Sequence, residues 1–203
     1  MAIVSVDLIK KLRENTNAPI MDCKKALIEA NGDMKTAIEI LKKRGQIVAL
    51  KKAGRSAKEG IVESYIHSNN KIGVLLEVNC ETDFVGRNEE FRRFAKDVCM
   101  QIAASSPAYV SREEVPKAII DREKDVLKEQ LKGKPENVME KIIEGKLEKF
   151  YSEVCLMDQP FIKDDKMTIK EYLAIVIGKI GENIVVRRFV RFQVGEDRSE
   201  DVV

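Results

Sequence analysis

Asn79-Cys80-Glu81-Thr82-Asp83-Phe84-Val85-Gly86 is the stretch from which the fold can be read outward. The apolar run Ile72 to Val78 enters it, and an amphipathic pattern opening near Asn88 leaves it. An apolar strand-length run followed by a period near 3.6 marks a strand-to-helix corner. A Phe beside an Asp at such a corner is an odd choice for a solvated loop. Its ring either packs down as a lid over the local core or is presented to something else, and both readings are open at this point.

Upstream, Ile61 to His67 and Ile72 to Val78 flank Ser68-Asn69-Asn70-Lys71, a turn-rich tetrad that reads as a hairpin loop. Downstream, Asn88 can cap a helix with Phe91, Phe94, Ala95, Val98, Ile102 and Ala103 on one stripe, which is expected to cover one face of the sheet. Ile184 to Val194 reads as a third strand in which Val190, Phe192 and Val194 alternate with Arg191 and Gln193, so that one face is buried. No other convincing strand is visible. The expected class is α+β, a three-stranded antiparallel sheet packed with helices. Such a sheet leaves edges and a face to manage, and self-association or partner docking is the natural way out.

Residues 1–45 predict three short helices. Ser5 caps the first, with Leu8, Ile9 and Leu12, and Asn15-Thr16-Asn17 stops it. Pro19 suits the first turn of the second, where its missing N–H is harmless. Cys23, Ala26, Leu27 and Ala30 make its buried face, and Asn31-Gly32 ends it. Asp33 caps the third, with Met34, Ala37, Ile38 and Leu41, closed by Arg44-Gly45. Such a bundle is marginal alone and suits recognition better than catalysis. Residues 46–60 carry Lys51, Lys52, Arg55 and Lys58 among small residues and read as a basic linker; four positive charges without an aromatic are weak evidence for a nucleic-acid arm. Residues 61–195 form the α+β core, and 196–203 a polar tail. Within the core, Ser111 with Glu114 and Thr168 with Glu171 have capping-box spacing, and Ser111 to Met157 reads as two charged antiparallel helices ending at Gln159-Pro160-Phe161. Glu140, Glu144 and Glu148 read as solvated partners of nearby lysines.

Over 203 residues, 36 Lys and Arg balance 34 Asp and Glu, which argues against a chain whose main work is neutralising phosphates. The 4 cysteines stand apart with no CxxC pair, and the 1 histidine, His67, borders a turn, so free thiols and no metal site are expected. No signal peptide and no apolar span are visible, which reads as cytoplasmic. Phosphate-cradling loops, GxSxG and HExxH are absent, so no cofactor and no nucleophile–base pair is expected. A binding protein of at least two modules remains.

Two motifs carry a resemblance. One is Met21-Asp22-Cys23-Lys24-Lys25-Ala26-Leu27 with Glu29-Ala30-Asn31-Gly32-Asp33; the other is Glu77-Val78-Asn79-Cys80-Glu81-Thr82-Asp83-Phe84-Val85. Together they make the chain resemble the translation elongation factor Ts family over nearly its whole length, with Gly86 standing where Ala is common. The resemblance implies a guanine nucleotide exchange factor for elongation factor Tu, without bond chemistry of its own, engaging that GTPase both GDP-bound and nucleotide-free. It implies a ubiquitin-associated-like N-terminal module, with Met21, Asp22, Lys24 and Lys25 in its docking motif. It implies that Thr82, Asp83, Phe84 and Val85 disturb the Mg²⁺ site, which turns the reading of Phe84 from lid to wedge. It implies a short, single-core form that dimerises, with no nucleic acid and no membrane as partner.

Overall fold

A computed structural model describes residues 4–16, 18–131 and 135–196. Among these the chain is α+β, with eight α-helices, a three-stranded antiparallel sheet and a small two-stranded ribbon. Its residues cluster into two compact units, one drawn from Met1–Ile61, Val78–Ala95 and Glu171–Val185, the other from Val62–Glu77, Lys96–Lys170 and Val186–Val203.

In the first unit, α1 (Val6–Thr16), α2 (Ile20–Glu29) and α3 (Met34–Lys52) form the expected bundle. The Leu8 N–H donates to Ser5 Oγ at 3.3 Å and the Thr36 N–H to Asp33 Oδ1 at 2.8 Å, so both anticipated caps are made. Leu12, Cys23, Ala26, Leu27, Ala30 and Ala37 are the buried core. Gly32, at φ +86°, ends α2 in the left-handed conformation. Asn17, assigned to the stop of α1, lies outside the described residues.

The third helix is longer than expected. It does not close at Arg44-Gly45 but runs on to Lys52. Glycine normally weakens a helix interior by about 1 kcal/mol relative to alanine. Gly45 is instead buried where a Cβ would meet the Ala174 carbonyl oxygen at 3.3 Å, so its missing side chain lets α8 (Ile169–Ile180) approach closely. The basic segment is therefore partly helical, and it is engaged. Lys52 Nζ donates to the Gly181 carbonyl, and Arg55 pairs with Glu81 at 3.5 Å.

The sheet has the order β1 (Glu59–Ile66), β2 (Ile72–Cys80), β5 (Ile184–Gln193). The His67 N–H donates to the Ile72 carbonyl at 2.9 Å, closing the hairpin. α5 (Glu89–Ser105) opens on Asn88, whose Oδ1 accepts from the Glu90 N–H at 2.8 Å. Its whole expected stripe is buried. In the second unit Cys99 Sγ lies 3.8 Å from the Glu63 carbonyl, which seats the second half of α5 on β1.

One expectation for β5 is overturned. Ile184 and Val186 are buried, but Val190, Phe192 and Val194 are exposed. Arg187 and Arg188 are both exposed, and beyond them the partly covered residues are Phe189 and Arg191 rather than Val190 and Phe192. Val190 and Phe192 thus join Val62, Ile66 and Leu75 among the strand residues left open to solvent.

The rest of the second unit holds α6 (Lys117–Gln130) and α7 (Glu136–Val154). Ser111 makes no cap; Arg112–Glu114 is a single 3₁₀ turn, and α6 starts behind Pro116. Glu148 is not a plain helix-surface charge. Both its oxygens accept from Arg112 at 2.7 Å, while Arg112 also donates to Asp158 at 2.9 Å and stacks 4.7 Å over the Tyr151 ring. The short ribbon of β3 (Pro160–Phe161) and β4 (Asp164–Thr168) escaped the sequence because Asp164-Asp165-Lys166 has no apolar alternation. It is held by the fully buried Gln101, which donates to Gln159 Oε1 at 3.1 Å and accepts from the Ile162 N–H at 2.9 Å.

Candidate functional site

At the end of β2 the chain does not pass straight into α5. Asp83–Gly86 forms one helical turn, α4, entered through Thr82 in an extended conformation. The four motif residues divide in two. Val85 is buried and Thr82 is tied down, whereas Phe84 is 77% exposed and Asp83 is half exposed. The ring is not a lid over the local core. Asp83 Oδ2 accepts from Arg87 at 2.8 Å on the solvent side.

Three holds fix this turn from below, all within the first unit. Cys80, fully buried, donates from Sγ to the Thr82 carbonyl at 3.1 Å. Glu182, between α8 and β5, accepts at Oε2 from the Glu81 N–H at 3.1 Å and the Thr82 N–H at 3.0 Å, and at Oε1 from the Thr82 hydroxyl at 2.7 Å. Glu81 reciprocates, accepting from the Asn183 N–H at 2.6 Å. That bond, with Arg55 nearby, holds the Glu81 carboxyl below its ordinary pKa. Glu182 and Asn183 were missed by sequence reasoning, because they stand about 100 residues from the motif. The Gly181-Glu182-Asn183 turn closing a helix before a strand was the only signal that could have pointed to them.

The second candidate surface lies on α2. Cys23, Ala26 and Leu27 face inward, so Met21, Lys24 and Lys25 face solvent and Asp22 is partly covered. Ile20 and Ile28 are exposed there as well. Ile28 stands seven positions after Met21, the helical spacing that puts both on one side.

Both motifs fall inside the region matched by a family profile described as Elongation factor TS, which covers residues 4–196. The chain belongs to the elongation factor Ts family. A relative named Elongation factor Ts from Thermoanaerobacter sp. strain X514 is 56% identical over 196 residues, 96% of each chain. Another so named, from Thermodesulfovibrio yellowstonii, is 57% identical over 198 residues, 97% of this chain and 99% of the relative. One from Carboxydothermus hydrogenoformans is 57% identical over 196 residues, 96% and 90% respectively. Family membership makes the protein a translation elongation factor, acting in protein biosynthesis.

Among the described residues no helix is long and apolar enough to cross a membrane, and no cluster of His, Cys, Asp or Glu could hold a metal ion. The cysteines Cys23, Cys80, Cys99 and Cys155 are free and buried. Burial pushes the Cys80 and Cys155 thiols up to about 11 and that of Cys99 to about 12. Several of the basic residues are paired: besides Lys52 and Arg55, Arg188 meets Glu77 at 2.7 Å and Arg191 meets Glu196 at 3.3 Å.

Proposed function

We propose that the protein is a guanine nucleotide exchange factor for elongation factor Tu in the cytoplasm, with no bond chemistry of its own. The supporting observation is a phenyl ring 77% exposed on a turn braced from below. An exchange factor must bind the nucleotide-free GTPase better than the GDP-bound one. By linkage, whatever factor it removes from nucleotide affinity the nucleotide removes from its own, and a ligand without differential affinity shifts nothing. Burying a Phe removes roughly 150–250 Å² from water. With three-quarters of Phe84 open, insertion is worth up to ~3–5 kcal/mol at ~25 cal/mol/Å². Tenfold in nucleotide affinity needs only about 1.4 kcal/mol.

In this reading Thr82 and Val85 hold the turn, Phe84 wedges into the rearranged GTPase near its Mg²⁺ and nucleotide site, and Asp83 lies beside that Mg²⁺ site. The N-terminal helices, with Met21, Asp22, Lys24 and Lys25 on α2, dock on the nucleotide-binding domain. The open apolar residues of β1, β2 and β5 favour a homodimer of this single-core form. GDP release from a cognate elongation factor Tu tests the reading. The parent chain is expected to accelerate release, and Asp83→Ala with Phe84→Ala to lose at least tenfold of that acceleration. A double variant as fast as the parent refutes the wedge.

A further inference from the structure

Phe84 has an unusual mechanical problem. Its ring touches too little of its own chain to be positioned by packing, so its placement is set by the backbone on either side. On the C-terminal side Val85 is buried and anchors the turn. On the N-terminal side Cys80 is buried and bonds the Thr82 carbonyl, but the two residues that follow it are not seated by packing. Thr82 itself is exposed, and Glu81 and Thr82 lie beyond the end of β2 at Cys80.

We infer that Glu182 is the positioning residue for the Thr82–Val85 turn, acting through Thr82 to aim Phe84 and Asp83; this rests on the exchange-factor reading above. One carboxylate meets all three donors of that corner, the two backbone N–H groups at one oxygen and the Thr82 hydroxyl at the other. Hydrogen bonds to an ionised acceptor are roughly twice as strong as neutral ones, and a two-oxygen grip fixes direction as well as distance. Glu182 is itself held in place. Gly181, at φ +82°, turns the chain out of α8, the Gly181 N–H donates to the Ile177 carbonyl at 2.8 Å, and Lys52 donates to the Gly181 carbonyl. The neighbouring Asn183 returns the grip through Glu81 and donates from Nδ2 to the Arg55 carbonyl at 2.8 Å. The corner is ordered before any partner arrives. Ordering a flexible backbone opposes binding, and a pre-set turn spares the complex that loss.

The assignment is tested by release of fluorescent GDP from elongation factor Tu, measured against factor concentration, with amide hydrogen exchange on the free full-length chain. Glu182→Ala is expected to slow release at saturating factor about tenfold. The half-saturating concentration should change less than threefold, because α2 is untouched, and the Glu81 and Thr82 amides should exchange faster. Glu182→Gln should recover most of the rate: its oxygen accepts from both amides and its amide nitrogen donates to the Thr82 hydroxyl. Release at the parent rate by Glu182→Ala, with Phe84→Ala slow, overturns the assignment and leaves the exchange reading standing. Phe84→Ala as fast as the parent overturns both. If Glu182→Ala does not fold, Glu182→Asp keeps the charge and withdraws it by one methylene. Faster exchange at both amides with unchanged release then overturns the role, and slower release in step with faster exchange supports it.

Discussion

Phe84 and Val85 sit side by side and answer to different demands. Val85 is buried and belongs to the fold, whereas Phe84 is 77% exposed and contributes almost nothing to it. Gly60 and Gly86 differ in the same way. A Cβ on Gly60, at φ +148°, would lie 2.2 Å from the Val78 carbonyl oxygen, whereas one on Gly86 would lie 3.5 Å from the Gly60 carbonyl, an ordinary contact. Gly60→Ala is therefore expected to destabilise by roughly 2–4 kcal/mol, from backbone strain and overpacking together. Gly86→Ala should be neutral or stabilise by ~0.4–1 kcal/mol, in keeping with the Ala common at this position among relatives that the family resemblance implies. Thermal melts of the two variants check the pair. At this scale the sequence exposed Phe84 as an anomaly and left its orientation open. It could not reveal Glu182, since a carboxylate before a strand reads like any solvated charge until chain closure brings it to Thr82.

The elements that periodicity read best are those with a single buried stripe. α1, α2 and α5 came out with their faces, because each has one apolar side and a Ser, Pro or Asn at its start; Ser5 and Asn88 make cap bonds and Pro19 makes none. Where long-range packing decides, local signals misled. Gly45 reads as a stop and is a close-approach site against Ala174, and Val190 with Phe192, the face of β5 expected to be buried, is exposed. The α7 segment shows the same limit in its charges. Glu148 reads as a solvated partner of lysine, yet Arg112 reaches it from outside the helix and holds its carboxyl below the ordinary value of 4.5. A carboxylate with a lowered folded pKa binds protons more weakly folded than unfolded. Its contribution is whole above 4.5 and is lost as pH falls through the folded value. Glu81 and Glu113 are lowered likewise. The melting temperature should thus fall as pH drops from about 5 to about 3, and Glu148→Gln should show a shallower fall while starting lower. An equally steep fall in Glu148→Gln would remove this pair from the account.

For the whole molecule, the open strand residues Val62, Ile66, Leu75, Val190 and Phe192 are the surface on which the proposed homodimer would form. Apolar area of that kind on a three-stranded sheet is satisfied by a second sheet packed about 10 Å away. Sedimentation should find a dimer at micromolar concentration and a monomer for Phe192→Glu, which places a charge where an apolar contact would form. A parent chain that stays monomeric denies the dimer, and a Phe192→Glu variant that stays dimeric places the interface elsewhere. The variant must keep its helical circular dichroism, since Phe192 is 59% exposed and supports little of the fold.

The exposure of Phe84 also has a spectroscopic consequence. The protein contains 0 tryptophans. Because the ring at position 84 is free of the core, Phe84→Trp would install a sole indole at the tip of the turn without repacking anything beneath it. Its emission would report the polarity at that one point, red in the free chain and blue when something dry closes around it. The turn can thus be watched directly during an encounter with a partner.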